Sequence, residues 1–388
     1  MQKSGLIKLC FPAAWLVATS WMFAAPAPIQ RGQLKHGAPL QAEQKSVPAK
    51  PAPAKAAPAK KTAPPKAAPA KKPVPAKPAL AKKPAPVKPA SAKAPPPAPA
   101  ASYGPRAPYR GAIAVDADTG RVLFADNMRT PGYPASVTKL MTFLLVLEDV
   151  QAGLYRLDDR AVASPLAASM EPSSVGLRPG QSMTIHDLLL SIMVKSANDA
   201  AETLAEHAAL AHLRRRGAPP QDVSPADLCA AFVARMNRRA QELGMRGTRY
   251  ASPNGLPPPR GSKRGVDVST AADLVELGKV LVRMPKALSY TSCPSCTVTD
   301  GAGKPLTLVG HNYFIPKNPD PKRLCTPLPE CDGLKTGFTN ASGSSIMLTA
   351  HRNGRRVIVV VLGSAGRHER EKAAGHILRD ALDAISIW

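Results

Sequence analysis

Residues 133–142 read Tyr133-Pro134-Ala135-Ser136-Val137-Thr138-Lys139-Leu140-Met141-Thr142, and they hold the single Ser-x-x-Lys of the 388-residue chain. Behind Pro134, apolar residues recur with helical spacing, with Leu140, Met141, Phe143, Leu144 and Leu147 on one face, which predicts a helix from about Ala135 to Val150. Positions three apart on a helix share a face, so the Lys139 amine can reach the Ser136 hydroxyl. The helix amino terminus adds free backbone N–H groups and a partial positive charge beside the serine. Those features suit a hydroxyl that attacks and then holds negative charge. By itself, however, the motif reads as a capping serine and a solvated lysine, since Ser-x-x-Lys arises by chance in many chains, so its weight depends on companions elsewhere in the chain.

Two companions are present. Ser196-Ala197-Asn198 interrupts an otherwise apolar helical region that starts at Leu188, and buried polar groups need partners. Ser252-Pro253-Asn254 has the same Ser-x-Asn form but stands in a Pro/Gly-rich loop, where a turn role accounts for it. The other companion is Lys335-Thr336-Gly337 in a strand-like run. There a lysine beside a hydroxyl can hold a carboxylate, and Gly337 leaves room for a substrate backbone along the strand. A lone lysine on an edge strand is otherwise a solvated charge that blocks aggregation.

Farther out, Gly111 to Val115 and Val122 to Phe124 flank Asp116-Ala117-Asp118-Thr119-Gly120 as strand, turn and strand. Further helices are expected over Ile185–His207, Pro225–Leu243, Thr270–Arg283 and Glu369–Ile385. Strands are expected over Leu334–Phe338, Ser345–Ala350 and Val357–Leu362, the last two joined by Asn353-Gly354, a two-residue hairpin turn. Two amino-terminal and three carboxy-terminal strands with helices between describe an α+β fold of the α/β class. Its antiparallel sheet of about five strands is closed by joining the ends of the domain.

The ordered set Ser136-x-x-Lys139, Ser196-x-Asn198 and Lys335-Thr336-Gly337 resembles that of penicillin-binding proteins and serine β-lactamases, with Ala197 in place of the usual middle Asp. The flanking residues Ser196-Ala197-Asn198-Asp199-Ala200-Ala201 and Asp332-Gly333-Leu334-Lys335-Thr336-Gly337-Phe338-Thr339 extend the likeness. Over about Gly111 to Ala384 the chain resembles the low-molecular-weight penicillin-binding proteins, specifically the serine D-alanyl-D-alanine carboxypeptidases. The resemblance implies a β-lactamase/transpeptidase-like fold, no metal and no cofactor. It implies that Ser136 attacks the bond between the terminal D-alanines of a peptidoglycan stem peptide and that Lys139 takes its proton. Ser196 and Asn198 would relay protons and orient the amide, while Lys335 and Thr336 bind the terminal carboxylate. The N–H groups of Ser136 and Phe338 would form the oxyanion hole, and β-lactams would inhibit by acylation. Arg370 stands as either a second cation for the carboxylate or a surface helix charge.

Acting as a base near neutrality requires the Lys139 pKa to fall about three units from ~10.4, or ~4 kcal/mol. Burial and a nearby cation can supply that, and Lys335 is the expected cation. An endopeptidase of cross-linked peptidoglycan would use the same residues. A β-lactamase fits less well, because the chain has no Glu-x-x-Leu-Asn segment. A non-catalytic wall-binding or nucleic-acid-binding module is the reading from a different class; it leaves Ser136, Lys139 and Lys335 without a purpose.

The amino-terminal region has another character. Residues 1–106 carry 18 Lys and Arg against the single acid Glu43, hence +17 of the formal +25, and 18 of the 43 prolines fall between Gly37 and Ala100. Such a stretch cannot bury a core. Lys3 and Lys8 precede an apolar run from Leu9 to Ala27, so residues 1–27 read as a signal peptide or an uncleaved anchor. Residues 28–106 read as a disordered basic linker and residues 107–388 as the catalytic domain. Export to the periplasm or cell envelope removes nucleic acid as a partner and leaves anionic wall or membrane surfaces for the linker to contact. At ~3.1 Å per residue, about 50 extended linker residues reach on the order of 150 Å. In an exported chain Cys293, Cys296, Cys325 and Cys331 are expected as disulfides of open pairing, with a four-thiolate zinc site as the alternative and Cys229 a small buried hydrophobe. Segments of about Ala208–Ser224 and Phe314–Glu330 look like insertions, the second beside the Lys335 strand and placed to rim the cleft.

Overall fold

A computed structural model describes residues 108–217 and 223–386. The leader, the linker and the middle of the Ala208–Ser224 segment lie outside the described residues. Strands β1 (Gly111–Asp116) and β2 (Val122–Asp126) open the fold, and a 3₁₀ turn over Ala135–Thr138 runs into helix α1 (Lys139–Gln151). A small hairpin of β3 (Arg160–Val162) and β4 (Ser182–Thr184) encloses α2 (Pro165–Ala168). Then come α3 (Ile185–Leu190), α4 (Asn198–Arg215), α5 (Pro225–Glu242), α6 (Ala271–Val282) and α7 (Pro285–Thr291). A hairpin of β5 (Ser295–Thr299) and β6 (Pro305–Val309) follows, and β7 (Cys331–Thr339), β8 (Gly343–Arg352), β9 (Arg355–Ser364) and α8 (Arg367–Ser386) complete the described chain.

The main sheet runs β2-β1-β9-β8-β7 and every pairing in it is antiparallel. This is the five-stranded sheet expected from the sequence, with β1 seated beside β9. Val357, Val359 and Val361 face α8, while Ile358, Val360 and Leu362 face the larger core on the other side. Because both faces are covered, β9 reads as a continuous apolar run rather than an alternating one. Asn353 and Gly354 take positive φ (53° and 75°), the two-residue turn their sequence predicts.

One expected helix is broken. The 185–207 segment ends α3 at Leu190, widens into a π-turn over Ser191–Lys195 and leaves it through Ser196, which is left-handed (φ 63°, ψ 29°), before α4 begins at Asn198. The widened turn takes Ser196 off the helical path while leaving it buried, a use typical of π-turns. Sequence reasoning misses the short β3, α2, β4 and α7, and it misses β5 and β6, whose Thr297, Thr299 and Thr307 dilute the apolar signal.

The four carboxy-terminal-half cysteines occupy two separate places. Cys293 and Cys296, in hydrogen-bond contact, pack against the larger core, while Cys325 and Cys331 belong to the α8 side. Among the described residues every cysteine is a free thiol and no group of three or more His, Cys, Asp or Glu could hold a metal. The expected disulfides are therefore not formed in this structure, and the zinc alternative fails because the four thiols do not converge. No described helix is long and apolar enough to cross a membrane.

Candidate active site

The site forms where the 3₁₀ turn, the π-turn and β7 meet. Ser136 sits on the 3₁₀ turn and Lys139 is the first residue of α1, with Val137, Leu140, Met141, Phe143 and Leu144 buried on the core side. Asp149, at the other end of α1, accepts from Tyr155, His212 and both terminal nitrogens of Arg235, which ties α1 to α4 and α5. The turn bearing the serine is thus braced at both ends of its helix.

Lys139 Nζ is fully buried and has three oxygen neighbours: Ser136 Oγ at 3.0 Å, Asn198 Oδ1 at 2.6 Å and the backbone oxygen of Asn254 at 2.6 Å. A neutral amine has two N–H bonds and one lone pair. With the two N–H bonds spent on Asn198 and Asn254, which can only accept, the lone pair faces the serine hydroxyl. Burial, and then the charge of Lys335, hold the Lys139 pKa well below the usual lysine range, against the opposing pull of Asp267, Asp199 and Glu202.

Lys335, on β7 and also fully buried, donates to Ser196 Oγ (2.9 Å) and to the Thr336 carbonyl (2.9 Å). Burial and the neighbouring Arg370 push its ammonium down to about 7. β7 is the edge strand, and its free side faces the serine turn. Gly337 makes that approach possible: a Cβ there would come 2.6 Å from the Pro134 carbonyl and 3.1 Å from the Ser136 nitrogen. The space expected to receive a substrate backbone is taken by the backbone of the Ser136 turn. The cleft, of about 190 Å³, is lined by Ser136, Ser196, Thr336, Gly337, Phe338 and Arg370, together with Pro172, Ser173, His311, Tyr313 and Arg367.

Three sequence-distant segments converge on one serine. The family model described as D-alanyl-D-alanine carboxypeptidase matches residues 102–212 and 226–366, well over half of the chain. The chain belongs to the D-alanyl-D-alanine carboxypeptidase family. It is 30% identical over 261 residues to the D-alanyl-D-alanine carboxypeptidase DacF of Bacillus subtilis, covering 67% of this chain and 59% of that relative. It is 29% identical over 262 residues to the D-alanyl-D-alanine endopeptidase of Pseudomonas aeruginosa, covering 66% and 72%. Its fold is similar to penicillin-binding protein D2 of Listeria monocytogenes in the ampicillin-bound form, with 29% identity, a TM-score of 0.56 and coverage of 71% and 98%.

In this carboxypeptidase-family chain all nine residues singled out from the sequence lie at or against the cleft. Arg370 is not a surface helix charge: it is buried on α8, paired with the buried Glu371, and directs Nη1 toward the Ser345 carbonyl at 3.4 Å. The Phe314–Glu330 segment supplies none of the cleft-lining residues. The rim is made just before it by His311 and Tyr313, the latter donating to Asp320 of the segment at 3.2 Å. Crowding by the cleft walls, followed by the charges of Lys335, Lys195 and Arg367, pushes the His311 imidazole down to about 4.

The 252–255 loop, which the sequence explains as a turn, has a second role. It is a turn, held by Asp267 accepting from Ser252 Oγ (2.6 Å) and from the Ala251 and Ser252 nitrogens. It is also the floor of the site through the Asn254 carbonyl. Nothing in the local sequence marks that second role; it shows only in the burial of Ser252 and Asn254, which loop residues seldom have without a task.

Proposed function

We propose that the protein is a serine-type D-alanyl-D-alanine carboxypeptidase that removes the terminal D-alanine from peptidoglycan stem pentapeptides through an acyl-enzyme. The observation carrying this reading is the Ser136–Lys139 pair at 3.0 Å, with both remaining Lys139 partners being acceptors. Ser136 Oγ adds to the carbonyl carbon between the two D-alanines as its proton passes to Lys139 Nζ. The N–H groups of Ser136 and Phe338 take the developing oxyanion. The C–N bond breaks as the proton held by Lys139 passes through the Ser196 hydroxyl to the leaving amine, which returns Lys139 to the neutral amine, and Asn198 orients the amide while it holds Lys139. Water then attacks the ester with Lys139 again as base, freeing the shortened peptide and Ser136. Lys335, Thr336 and the Arg370 charge bind the terminal carboxylate, and a β-lactam would be trapped at the acyl stage by the same groups.

Incubating the protein and its Ser136→Ala variant with pentapeptide and cross-linked muropeptides tests this. Free D-alanine from the wild type alone supports the carboxypeptidase. Activity retained by the variant rejects the nucleophile. Release of monomers from cross-linked material would favour the second reading, an endopeptidase, which the name of the Pseudomonas aeruginosa relative motivates.

For the chain as a whole, residues 1–27 act as a leader or anchor, 28–106 as a basic tether and 107–388 as the catalytic unit of an exported envelope enzyme. The excess of lysine in the tether supports contact with anionic wall polymers or lipid head groups.

A further inference from the structure

We propose that Glu202 is a positioning residue for the base: through Asn254 it fixes the direction in which the Lys139 lone pair points. The inference deepens the acyl-transfer reading above and rests on it. Glu202 lies on α4, one turn beyond Asn198, is 2% exposed and touches neither Ser136 nor any group assigned to the substrate. Its Oε2 accepts from Asn254 Nδ2 at 3.0 Å, and the backbone oxygen of the same Asn254 accepts from Lys139 Nζ at 2.6 Å. Asn254 Oδ1 in turn accepts from the Leu256 nitrogen at 2.9 Å, so both ends of the side-chain amide are held. One of the two acceptors that aim the Lys139 lone pair is therefore itself held by a buried carboxyl group.

The surroundings define its charge state. Asn254 Nδ2 and the Cys229 thiol of α5 both donate to Glu202, and Arg264 and Lys139 are the cations near it. Burial opposes ionisation most strongly, and Glu206, on the same helix, lies near enough for Glu202 to raise its pKa. Burial outweighs those donors and cations and holds the Glu202 pKa above the usual carboxylate range, so the charge by which it raises the Lys139 pKa is present on the alkaline side of its own titration. Lys139 is faced by Lys335 of β7 on one side and by Asp267, Asp199 and Glu202 on the other. When Lys139 takes the serine proton, Glu202 stabilises the new ammonium. Without Glu202, burial and Lys335 act with less opposition.

The test is the pH dependence of acylation by a fluorescent penicillin in the full-length wild type, Glu202→Gln and Glu202→Leu, with thermal unfolding measured on each. Glu202→Gln keeps an acceptor for the Asn254 amide but loses the charge. Its optimum rate is expected within about threefold of wild type, with the acid limb moved to lower pH. Glu202→Leu removes the acceptor and is expected to acylate at least tenfold more slowly across the range. An unmoved acid limb in Glu202→Gln overturns the proposal, as does wild-type acylation by a folded Glu202→Leu. If the leucine variant does not fold, the glutamine profile decides alone. A wild type that penicillin does not acylate overturns the catalytic reading as well, so the two failures are distinguishable.

Discussion

At the residue scale, two buried lysines share one cleft and answer to different controls. Lys335 lowers the Lys139 pKa, so Lys335→Gln should raise it and move the acid limb of penicillin acylation to higher pH, opposite in sign to the shift expected for Glu202→Gln. Lys335 itself, brought down to about 7, loses its charge as pH rises through that value. The carboxylate then loses its cation, so kcat/KM should fall on the alkaline side from about pH 7. That limb should be absent for an uncharged ester of the substrate, and its persistence there would assign it to another group. Ser136, Lys139, Ser196, Asn198, Lys335 and Thr336 are legible in the sequence because each motif is local, a few residues at fixed spacing. Asn254, Glu202 and His311 are not. Their chemistry comes from what lies opposite them, 115 residues away in sequence for Asn254 and Lys139, and no local pattern encodes it.

Among the elements, the loop at 252–255 is packed directly against the turn that carries Ser136. Gly255 has φ +82°, and a Cβ on it would come 2.0 Å from the Ala135 carbonyl. Gly255→Ala must strain the backbone and push the nucleophile turn away, so it should cost about 2–4 kcal/mol in urea unfolding and slow acylation as well. A loss confined to stability, with acylation unchanged, would show that the loop does not seat the turn. The amphipathic helices α5 and α6 and the paired strands β8 and β9 follow from periodicity and turn chemistry, and their observed bounds lie close to the expected ones. The π-turn over Ser191–Lys195 does not. No short residue pattern marks it, and its consequence is tertiary: it brings Ser196 within hydrogen-bond reach of Lys335.

For the whole molecule, charge is divided between two regions, with +17 of the +25 in residues 1–106. The proposed attraction of that segment to an anionic wall would be screened by salt, with a Debye length of about 10 Å at 0.1 M and about 3 Å at 1 M. Co-sedimentation of the full chain with anionic wall sacculi should therefore decline steeply between low and high salt and be largely lost when residues 28–106 are deleted, while penicillin acylation stays within about twofold. Salt-independent binding would point to a specific site on the catalytic unit instead. The amino-acid sequence by itself determined the strands of the antiparallel five-stranded sheet, the long helices and the three motifs, because hydrophobic period, turn residues and short spacings are local properties. Only the tertiary structure decided that Gly337 and Gly255 let separate backbones close on Ser136, that Arg370 is buried, and that two acceptors aim the amine of Lys139. Those outcomes depend on desolvation and on contacts between distant segments, and neither exists until the chain has packed.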